Sequence, residues 1–302
     1  MQVKIPRVPL VATVAAVIAA AALLAAPNPL RAPADADSVW ITETGRAPQT
    51  PAAPATPEAT VSAPATPAAT VPGATPPGTR PPVVDHGPRT GNKVALTFDA
   101  DMTDAMRSQL RSGAVRSYAN LKIIDLLERE QVPATFFLTG KWVEQYPDVT
   151  RRLAANPRFE LANHTYGHLA FTSDCYGLPR IAEREMTADV ARTFDVVAAY
   201  GGRQTRYFRF PGLCHDRKAL AALAPLGVTV VDGDVVSGDP FAKSWRPVVR
   251  ASLDGVRPGS VIVLHVTEAN APMTDEALPH ILAGLAERGL EPAPLSEVLR
   301  LG

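Results

Sequence analysis

Short apolar segments alternate with amphipathic segments from Lys93 onward, and this alternation constrains the fold more than any other feature of the chain. Short apolar or aromatic runs are typical of buried strands, whereas apolar residues spaced three or four apart are typical of helices. Strands that alternate with helices predict a mostly parallel sheet, either open or closed into a barrel. In such folds the loops after the carboxyl ends of the strands hold the chemistry.

The pattern assigns each predicted element to a range of residues. The predicted strands are residues 93–98, 134–138, 159–162, 206–210, 228–231 and 260–264. The predicted helices are residues 118–130, 148–156, 181–200, 216–223, 246–253 and 274–288, and residues 294–299 close the chain. Residues 102–117 are expected to form a loop over the site at the carboxyl ends of the strands.

The part of the chain before this pattern is different in composition. Only Trp40 among the aromatic residues precedes Phe98, and 12 of the 30 prolines lie between Pro48 and Pro88. Repeats of Ala-Pro-Ala-Thr-Pro have no apolar periodicity and cannot bury enough surface to offset the entropy of ordering the chain. We therefore predict a disordered linker over residues 37–91 and a folded domain over residues 92–302. Within the linker, the tract from about residue 45 to residue 90 is expected to have polyproline character and a reach of about 100 Å.

The N-terminus has the features of an export signal. Lys4 and Arg7 precede an apolar run over residues 10–26, and Ala34-Asp35-Ala36 offers a small-x-small cleavage site. Residues 1–36 are therefore predicted to be a cleaved signal peptide or an uncleaved N-terminal membrane anchor, which is the only membrane contact expected. Either alternative places the domain outside the cytoplasm, secreted or associated with the cell envelope.

Charge and cysteine content exclude several classes of protein. Lys+Arg and Asp+Glu each number 30, so the formal net charge is zero, and this argues against nucleic acid as the main partner because phosphate binding needs a basic surplus. The two cysteines, Cys175 and Cys214, are too few for a disulfide-dense miniprotein or a four-cysteine zinc site.

Acidic, imidazole and guanidinium side chains follow the predicted strands in order. An H-x-x-x-H pair places two imidazoles on one side of a turn, as a shared metal needs, although surface and capping histidines are more common. An Asp-x-Asp pair often only caps the next helix. Their joint occurrence at successive strand ends favours one functional site. The candidates are Asp99, Asp101, His164, His168, Arg209, Asp239 and His265.

These residues stand in motifs that resemble those of the polysaccharide deacetylase family, which is carbohydrate esterase family 4 or the NodB-homology domain. The motifs are Thr-Phe-Asp-Ala-Asp at 97–101, Ala-Thr-Phe-Phe-Leu-Thr-Gly at 134–140, His-Thr-Tyr-Gly-His at 164–168, Arg-Phe-Pro-Gly at 209–212 and Val-Leu-His at 263–265. The resemblance covers residues 92–301. It implies a distorted (β/α) barrel and a metal-dependent hydrolase that removes acetyl groups from a polysaccharide.

The resemblance also implies a role for each site residue. Asp101, His164 and His168 would hold a divalent metal, Zn²⁺ or alternatively Co²⁺, which lowers the pKa of a water molecule. Asp99 would act as general base beside Arg209, and His265 would act as general acid beside Asp239. A backbone N–H near Gly212 would stabilise the oxyanion, and Leu264 would line the pocket for the acetyl methyl group.

Two motifs depart from the family pattern. The first reads Asp-Ala-Asp rather than two adjacent aspartates. Matched by order, Asp99 is the base and Asp101 the metal ligand; matched by strict position, Ala100 replaces the ligand. Asp99 and Asp101 share one side of an extended chain, and we prefer the match by order. The fourth motif reads Asp239-Pro240, without the usual tryptophan.

The loops that hold Cys175 and Cys214 are expected on the same face as these motifs, and an exported chain favours a disulfide between them. The expected substrate is peptidoglycan or another N-acetylated glycan of the envelope. An O-acetyl esterase of the xylan type is the alternative within the family. A non-catalytic domain that binds envelope glycans is the alternative from another class.

Overall fold

The computed structural model describes residues 71–300. The predicted signal peptide or anchor, residues 1–36, lies outside the described residues, as does the predicted linker from residue 37 to residue 70. Among the helices of residues 71–300, none is both long enough and apolar enough to cross a bilayer.

Strands and helices alternate along the described chain. The strands are β1 Val83–Val84, β2 Lys93–Ala100, β3 Ala134–Leu138, β4 Phe159–Asn163, β5 Arg203–Phe208, β6 Thr229–Val231, β7 Val235–Val236, β8 Val261–His265 and β9 Glu291–Pro292. The α-helices are α1 Asp104–Ser112, α2 Leu121–Arg129, α3 Gly140–Gln145, α4 Pro147–Ala155, α5 Met186–Ala198, α6 Arg217–Leu223, α7 Trp245–Leu253, α8 Thr274–Glu287 and α9 Leu295–Leu299.

The strands form one parallel sheet in the order β1-β6-β5-β4-β3-β2-β8-β7, and β9 pairs with the start of β2. Every neighbouring pair in this order is parallel. The predicted α/β architecture is confirmed: the sheet curls into an incomplete barrel with helices packed on it, as in the distorted (β/α) barrel that the motifs imply.

The alternation of side chains along β2 separates the core from the site. Val94, Leu96, Phe98 and Ala100 belong to the main hydrophobic cluster, in which they meet residues of α2, α7 and α8. Because successive side chains of a strand point to opposite faces, Asp99 points away from that cluster. The same alternation therefore makes Asp99 available to a site on the other face of the strand.

The segment predicted as a loop over the site contains a helix instead. Helix α1 begins after Thr103, whose hydroxyl accepts a hydrogen bond from the backbone N–H of Met106, and it ends at Gly113 in the left-handed conformation. These are ordinary start and stop signals for a helix, and the pattern search missed them because only Met106 of α1 is buried.

Residues 71–91, which the sequence assigned to the disordered linker, are packed against the folded domain; we call them the N-terminal strap. The prediction is wrong for this part of the linker. The backbone N–H of Arg206 donates to Pro72 O at 2.7 Å, and the N–H of Thr75 donates to Gly227 O at 3.1 Å. Strand β1 extends the sheet beside β6. The strap is proline-rich and its strand β1 is only two residues long, so it has no apolar periodicity from which the packing could be predicted.

We expect Arg89→Ala to lower the free energy of unfolding by about 1–3 kcal/mol, because Asp234 would lose its charged partner in a largely buried place. Arg89 Nη2 lies 2.7 Å from Asp234 Oδ2, and Arg89 Nη1 donates to Ser260 Oγ at 3.0 Å. Urea unfolding measures the change, with Arg111→Ala on the exposed face of α1 as the control. Equal stability of the two variants would contradict the packing of the strap.

Candidate active site

Polar side chains converge at the carboxyl ends of β2, β4, β5 and β8. Asp99 of β2 lies opposite His265 of β8 in the parallel register, His164 follows β4, and Arg209 follows β5. A cavity of about 250 Å³ opens there, and we call it the strand-end cavity. Its polar lining consists of Asp99, Asp101, His164, His168, Asp239, His265 and Asn270.

Asp101, His164 and His168 form a group with the geometry of a metal site. One ligand atom from each lies within 4.8 Å of the other two. Asp101 Oδ1 is 3.5 Å from His164 Nε2 and 3.3 Å from His168 Nε2. His164 Nδ1 lies 2.9 Å from the carbonyl oxygen of Arg209, which can only accept, so Nδ1 carries the proton and the lone pair of Nε2 is free.

An unsatisfied oxygen supports the same conclusion. Asp101 Oδ1 is buried and has no hydrogen-bond partner among the described residues. Leaving a buried carboxylate oxygen unpaired is costly, and a cation between this oxygen and two imidazole nitrogens removes that cost. The three residues therefore fit a divalent metal, and their nitrogen and oxygen donors are those that Zn²⁺ takes.

The protonation states of His168 and Asp101 also suit metal binding. Burial lowers the pKa of His168 to about 4 despite the nearby Asp101 carboxylate, so its imidazole is neutral at pH 7. Burial alone would raise the pKa of Asp101, but the imidazoles of His168, His265 and His164 outweigh it and hold that pKa well below its usual range. A neutral imidazole and an ionised carboxylate are the forms that bind a cation.

The turn that holds the two histidines is strained and braced. Thr165 and His168 have φ values of 70° and 55°, in the left-handed region of backbone conformation that residues other than glycine rarely adopt. Thr165 Oγ1 accepts from the N–H of His168 at 3.0 Å, and Asp189 Oδ1 of α5 accepts from the N–H of Tyr166 at 2.7 Å. The sequence offered no signal for Asp189, since its helix is remote from every motif.

Arg209 and Asp99 form a buried ion pair beside the metal group. Arg209 is fully buried, its Nη1 lies 2.7 Å from Asp99 Oδ1, and its Nε donates to Val231 O at 3.0 Å. The guanidinium lies 4.0 Å from the centroid of the Phe137 ring. Asp99 Oδ2 is left 3.7 Å from His164 Nε2. Arg209 therefore holds one oxygen of Asp99 and leaves the other directed at the metal group.

His265 and Asp239 form the second pair, as the sequence predicted. His265 Nδ1 and the His265 backbone N–H each lie 2.8 Å from an oxygen of Asp239, which is fully buried. Thr274 and Ser237 also donate hydroxyls to this carboxylate, at 2.7 and 2.8 Å. The sequence analysis missed both hydroxyls, because neither stands in a motif.

The His265–Asp239 contact favours the protonated imidazole. Burial alone would lower the pKa of His265, but Asp239 and Asp101 outweigh it and raise the pKa to about 10. Because the carboxylate of Asp239 accepts a hydrogen bond from Nδ1–H, Nε2 is the nitrogen that faces the strand-end cavity, 3.8 Å from Asp101 Oδ2.

The predicted disulfide is confirmed. Cys175 and Cys214 are bonded, with Cα atoms 5.9 Å apart, so the loops after β4 and β5 lie side by side. Gly212 lines the strand-end cavity at φ 60°. A Cβ at this position would lie 2.7 Å from Cys175 Sγ, so glycine is required for the close approach of the two loops.

Comparison with known proteins finds similarity to one family. The family model for polysaccharide deacetylase matches residues 86–231. Over this segment the chain resembles the polysaccharide deacetylase family. A chitooligosaccharide deacetylase of Bradyrhizobium sp. (strain ANU 289) is 28% identical over 188 residues, which are 58% of this chain and 82% of the relative. A peptidoglycan-N-acetylglucosamine deacetylase of Bacillus cereus is 28% identical over 204 residues, 67% of this chain and 66% of the relative.

Solved structures of a deacetylase, a pseudoenzyme and an esterase share the fold. The Bc1960 peptidoglycan N-acetylglucosamine deacetylase matches with a TM-score of 0.61 and 24% identity, over 73% of this chain and 94% of the other. A family 4 pseudoenzyme from Bacillus anthracis matches at 0.58 and 20%, over 72% and 69%. A family 4 acetyl xylan esterase from Clostridium thermocellum, with a cobalt ion, matches at 0.54 and 25%, over 69% and 91%.

The altered first motif, Thr-Phe-Asp-Ala-Asp at residues 97–101, is accommodated at the end of β2. The side chain of Ala100 is buried in the main hydrophobic cluster, whereas Asp99 and Asp101 both line the strand-end cavity. The metal group contains Asp101, with Asp99 held by Arg209 instead. The geometry thus supports the match by order, and the roles of the two aspartates remain a prediction.

Leu264 does not have the position that the polysaccharide deacetylase motif implied. It is fully buried in the main hydrophobic cluster and is not among the residues that line the strand-end cavity. Side chains alternate along β8, so that Val263 and His265 line the cavity while Leu264 points into the core. An apolar wall for an acetyl methyl group would come from Val263 and Leu213 instead.

Proposed function

We propose that this chain is a metal-dependent hydrolase that removes acetyl groups, with N-acetyl groups preferred, from a polysaccharide of the cell envelope or the extracellular space, such as peptidoglycan. One observation carries the proposal. An oriented carboxylate, Asp99, and an oriented imidazole, His265, face the same metal-ligand group across one cavity. Hydrolysis of an amide needs both a proton acceptor and a proton donor at the reacting bond.

Asp101, His164 and His168 would hold a divalent cation, which would supply a Lewis acid for the acyl carbonyl and lower the pKa of a water molecule. Asp99 accepts the proton of the attacking water at Oδ2, since Arg209 holds Oδ1. The oxygen of this water adds to the acetyl carbon. The buried guanidinium keeps the carboxylate oriented through this transfer.

His265 acts on the other side of the scissile bond. It donates the Nε2 proton to the amine nitrogen as the carbon–nitrogen bond breaks, so the products are acetate and a free amino group. The Asp239 carboxylate accepts a hydrogen bond from Nδ1–H throughout and stabilises the imidazolium before the transfer. The backbone near Gly212 would stabilise the negative charge on the acetyl oxygen.

The preference for N-acetylated glycans is supported by the relatives. The two described above are named for chitooligosaccharide and for peptidoglycan N-acetylglucosamine. The acetyl xylan esterase shares the fold and keeps O-acetyl esters as the second candidate substrate. The pseudoenzyme shares it too, but the full set of acid, base and metal ligands in this chain favours an enzyme over a non-catalytic glycan-binding domain.

We also propose that the domain works outside the cytoplasm. The positively charged start, the apolar run at residues 10–26 and the proline-rich tract are the sequence features that support export. The disulfide between Cys175 and Cys214 is consistent with an oxidising compartment.

The test is acetate release by the purified protein after equilibration with Zn²⁺ or Co²⁺. We expect release from N-acetylated chitopentaose and from peptidoglycan at least about tenfold faster than from acetylated xylan. A chelator should abolish it, and either metal should restore it. His168→Ala serves as the control for contaminating activity, because it lacks a metal ligand.

Each contrary result points to a different alternative. Faster release from acetylated xylan would identify the O-acetyl esterase. No release from any of the three glycans, with one metal bound per chain, would leave the non-catalytic glycan-binding domain as the better interpretation.

A further inference from the structure

Both histidines of the metal group belong to one short turn, residues 164–168, which we call the histidine turn. Its backbone enters the left-handed region at Thr165 and again at His168. Residues other than glycine keep such conformations only where the surrounding structure over-determines them. The direction of each imidazole therefore depends on the contacts that hold the histidine turn in this shape.

The carbonyl groups of the histidine turn are held by the start of helix α3. Gly140 N–H donates to Thr165 O at 3.1 Å, and Lys141 N–H donates to Tyr166 O at 2.9 Å. Gly140 leaves room for this approach, since a Cβ at that position would overlap the Tyr166 ring. Both donors are backbone groups, so this half of the anchorage is supplied by the fold.

The N–H groups of the histidine turn need acceptors as well. Thr165 N–H donates to Asn163 Oδ1 at 3.0 Å, and His168 N–H donates to Thr165 Oγ1 at 3.0 Å. The N–H of Tyr166, in the middle of the turn, donates to Asp189 Oδ1 at 2.7 Å. Asp189 lies on α5, 23 residues from Tyr166 along the chain, whereas the other two acceptors lie within or beside the turn.

The charge of Asp189 is disfavoured where it stands. Burial raises the pKa of this carboxyl, and the N–H groups of Tyr166 and Gly167 favour the ionised form but offset the burial only in part. A carboxylate that is kept where burial disfavours its charge is a candidate for a functional role. The hydrogen bond to Tyr166 indicates what that role is.

Asp189 acts on the site from outside it. It is neither among the residues that line the strand-end cavity nor in the metal group. Its contact runs through the N–H of Tyr166, midway between His164 and His168. Loss of this bond would free the middle of the histidine turn while all three metal-group residues stay in the chain.

We propose that Asp189 is a positioning residue for the metal group. Through the N–H of Tyr166 it fixes the angle between the two imidazoles of the histidine turn, and so it sets the affinity for a divalent cation. The ring centroids of His164 and His168 are 5.1 Å apart, with their planes inclined at 56°. The inference rests on the proposed function for the cation that these rings bind.

The experiment measures the Kd for Zn²⁺, by competition with a chromophoric chelator, and the visible spectrum of bound Co²⁺, which reports ligand geometry. Asp189→Ala should weaken Zn²⁺ binding about 10- to 100-fold and alter the Co²⁺ spectrum. Asp189→Asn keeps an oxygen that can accept from Tyr166, and it should restore the affinity to within about fivefold of the wild type. Asp195→Ala, which removes an exposed carboxylate of the same helix, is the matched control.

A purely structural role for Asp189 gives a different result. Asp189→Ala would then unfold at a lower urea concentration, but the folded protein would bind Zn²⁺ with wild-type affinity and show the wild-type Co²⁺ spectrum. That result overturns the inference. If Asp189→Ala does not fold, Asp189→Leu replaces it, because leucine fills a similar space without an acceptor. If neither variant folds, Asp189 is a structural residue and the inference is overturned as well.

Failure of this inference can be distinguished from failure of the proposed function. If the wild type releases acetate and Asp189→Ala binds Zn²⁺ equally well, the positioning role is refuted while the function stands. If the wild type binds Zn²⁺ but releases no acetate from any glycan, the function is refuted, and the affinities of the variants still decide the role of Asp189. If the wild type binds no metal, both are refuted.

Discussion

Asp101→Ala is expected to lose bound metal and hydrolytic activity together, with kcat/KM reduced by about 10³-fold or more. The substitution removes one of three protein ligands, and two imidazoles alone do not hold a divalent cation well at this kind of site. It also removes the carboxylate oxygen that lies 3.3 Å from His168 Nε2 and 3.5 Å from His164 Nε2. Metal content after equilibrium dialysis and the rate of acetate release are the two measurements.

Asp99→Asn is the informative partner of that variant. The amide keeps the size of the side chain and an oxygen that can accept from Arg209, but it cannot take a proton from water. We therefore expect nearly one metal per chain and a turnover reduced by about 10²- to 10⁴-fold. Asp104→Ala, which removes an exposed carboxylate of α1 paired with Lys141, controls for the loss of nearby negative charge.

The reverse outcome would exchange the two roles. Asp99 Oδ2 lies only 3.7 Å from His164 Nε2, so Asp99 is the one competing carboxylate at the metal group of the described residues. Full retention of metal in Asp101→Ala, with loss of metal in Asp99→Asn, would make Asp99 the ligand and support the match of the first motif by strict position.

Asp239→Asn is expected to reduce kcat by about 10²- to 10⁴-fold while metal content stays the same. An ionised carboxylate accepts four hydrogen bonds here, two from His265 and one each from Thr274 and Ser237. An amide places an N–H₂ group against at least one of these donors. His265 then loses either its orientation or the partner that stabilises its protonated form.

Steady-state kinetics and metal analysis separate this effect from a general loss of structure. Asp254→Asn, an exposed position at the end of α7, is the matched control for the chemical change. Because Asp239 is fully buried, Asp239→Asn should also lower the free energy of unfolding by about 1–3 kcal/mol, so the kinetics are measured well below the melting temperature. Turnover within about threefold of the wild type would exclude His265 as an acid that depends on this carboxylate.

The parallel sheet could be predicted from the sequence because each main strand is a short run of apolar residues, which is a local signal. Residues 134–138 and 159–163 are runs of buried side chains bounded by turns, and the structure places strands β3 and β4 there. The N-terminal strap could not be predicted in this way, since its backbone hydrogen bonds go to residues such as Arg206 and Gly227, far along the chain. The proline-rich sequence of the strap contains no alternation of apolar residues that would indicate this pairing.

Tertiary structure decided what each candidate side chain faces. Alternation along β8 turned Leu264 into the core, and packing supplied Thr274, Ser237 and Asp189, which no motif contains.

The sequence by itself determined the resemblance to the polysaccharide deacetylase family, the alternating fold and the residues at the strand ends, because residue type and spacing are local properties. It also indicated the disulfide between Cys175 and Cys214. Only the tertiary structure decided that Asp101 joins the two histidines while Asp99 pairs with Arg209, and that Tyr176 meets Phe241 at the mouth of the cavity. Distances between side chains on different strands follow from the curl and register of the sheet, which the order of residues along the chain does not contain.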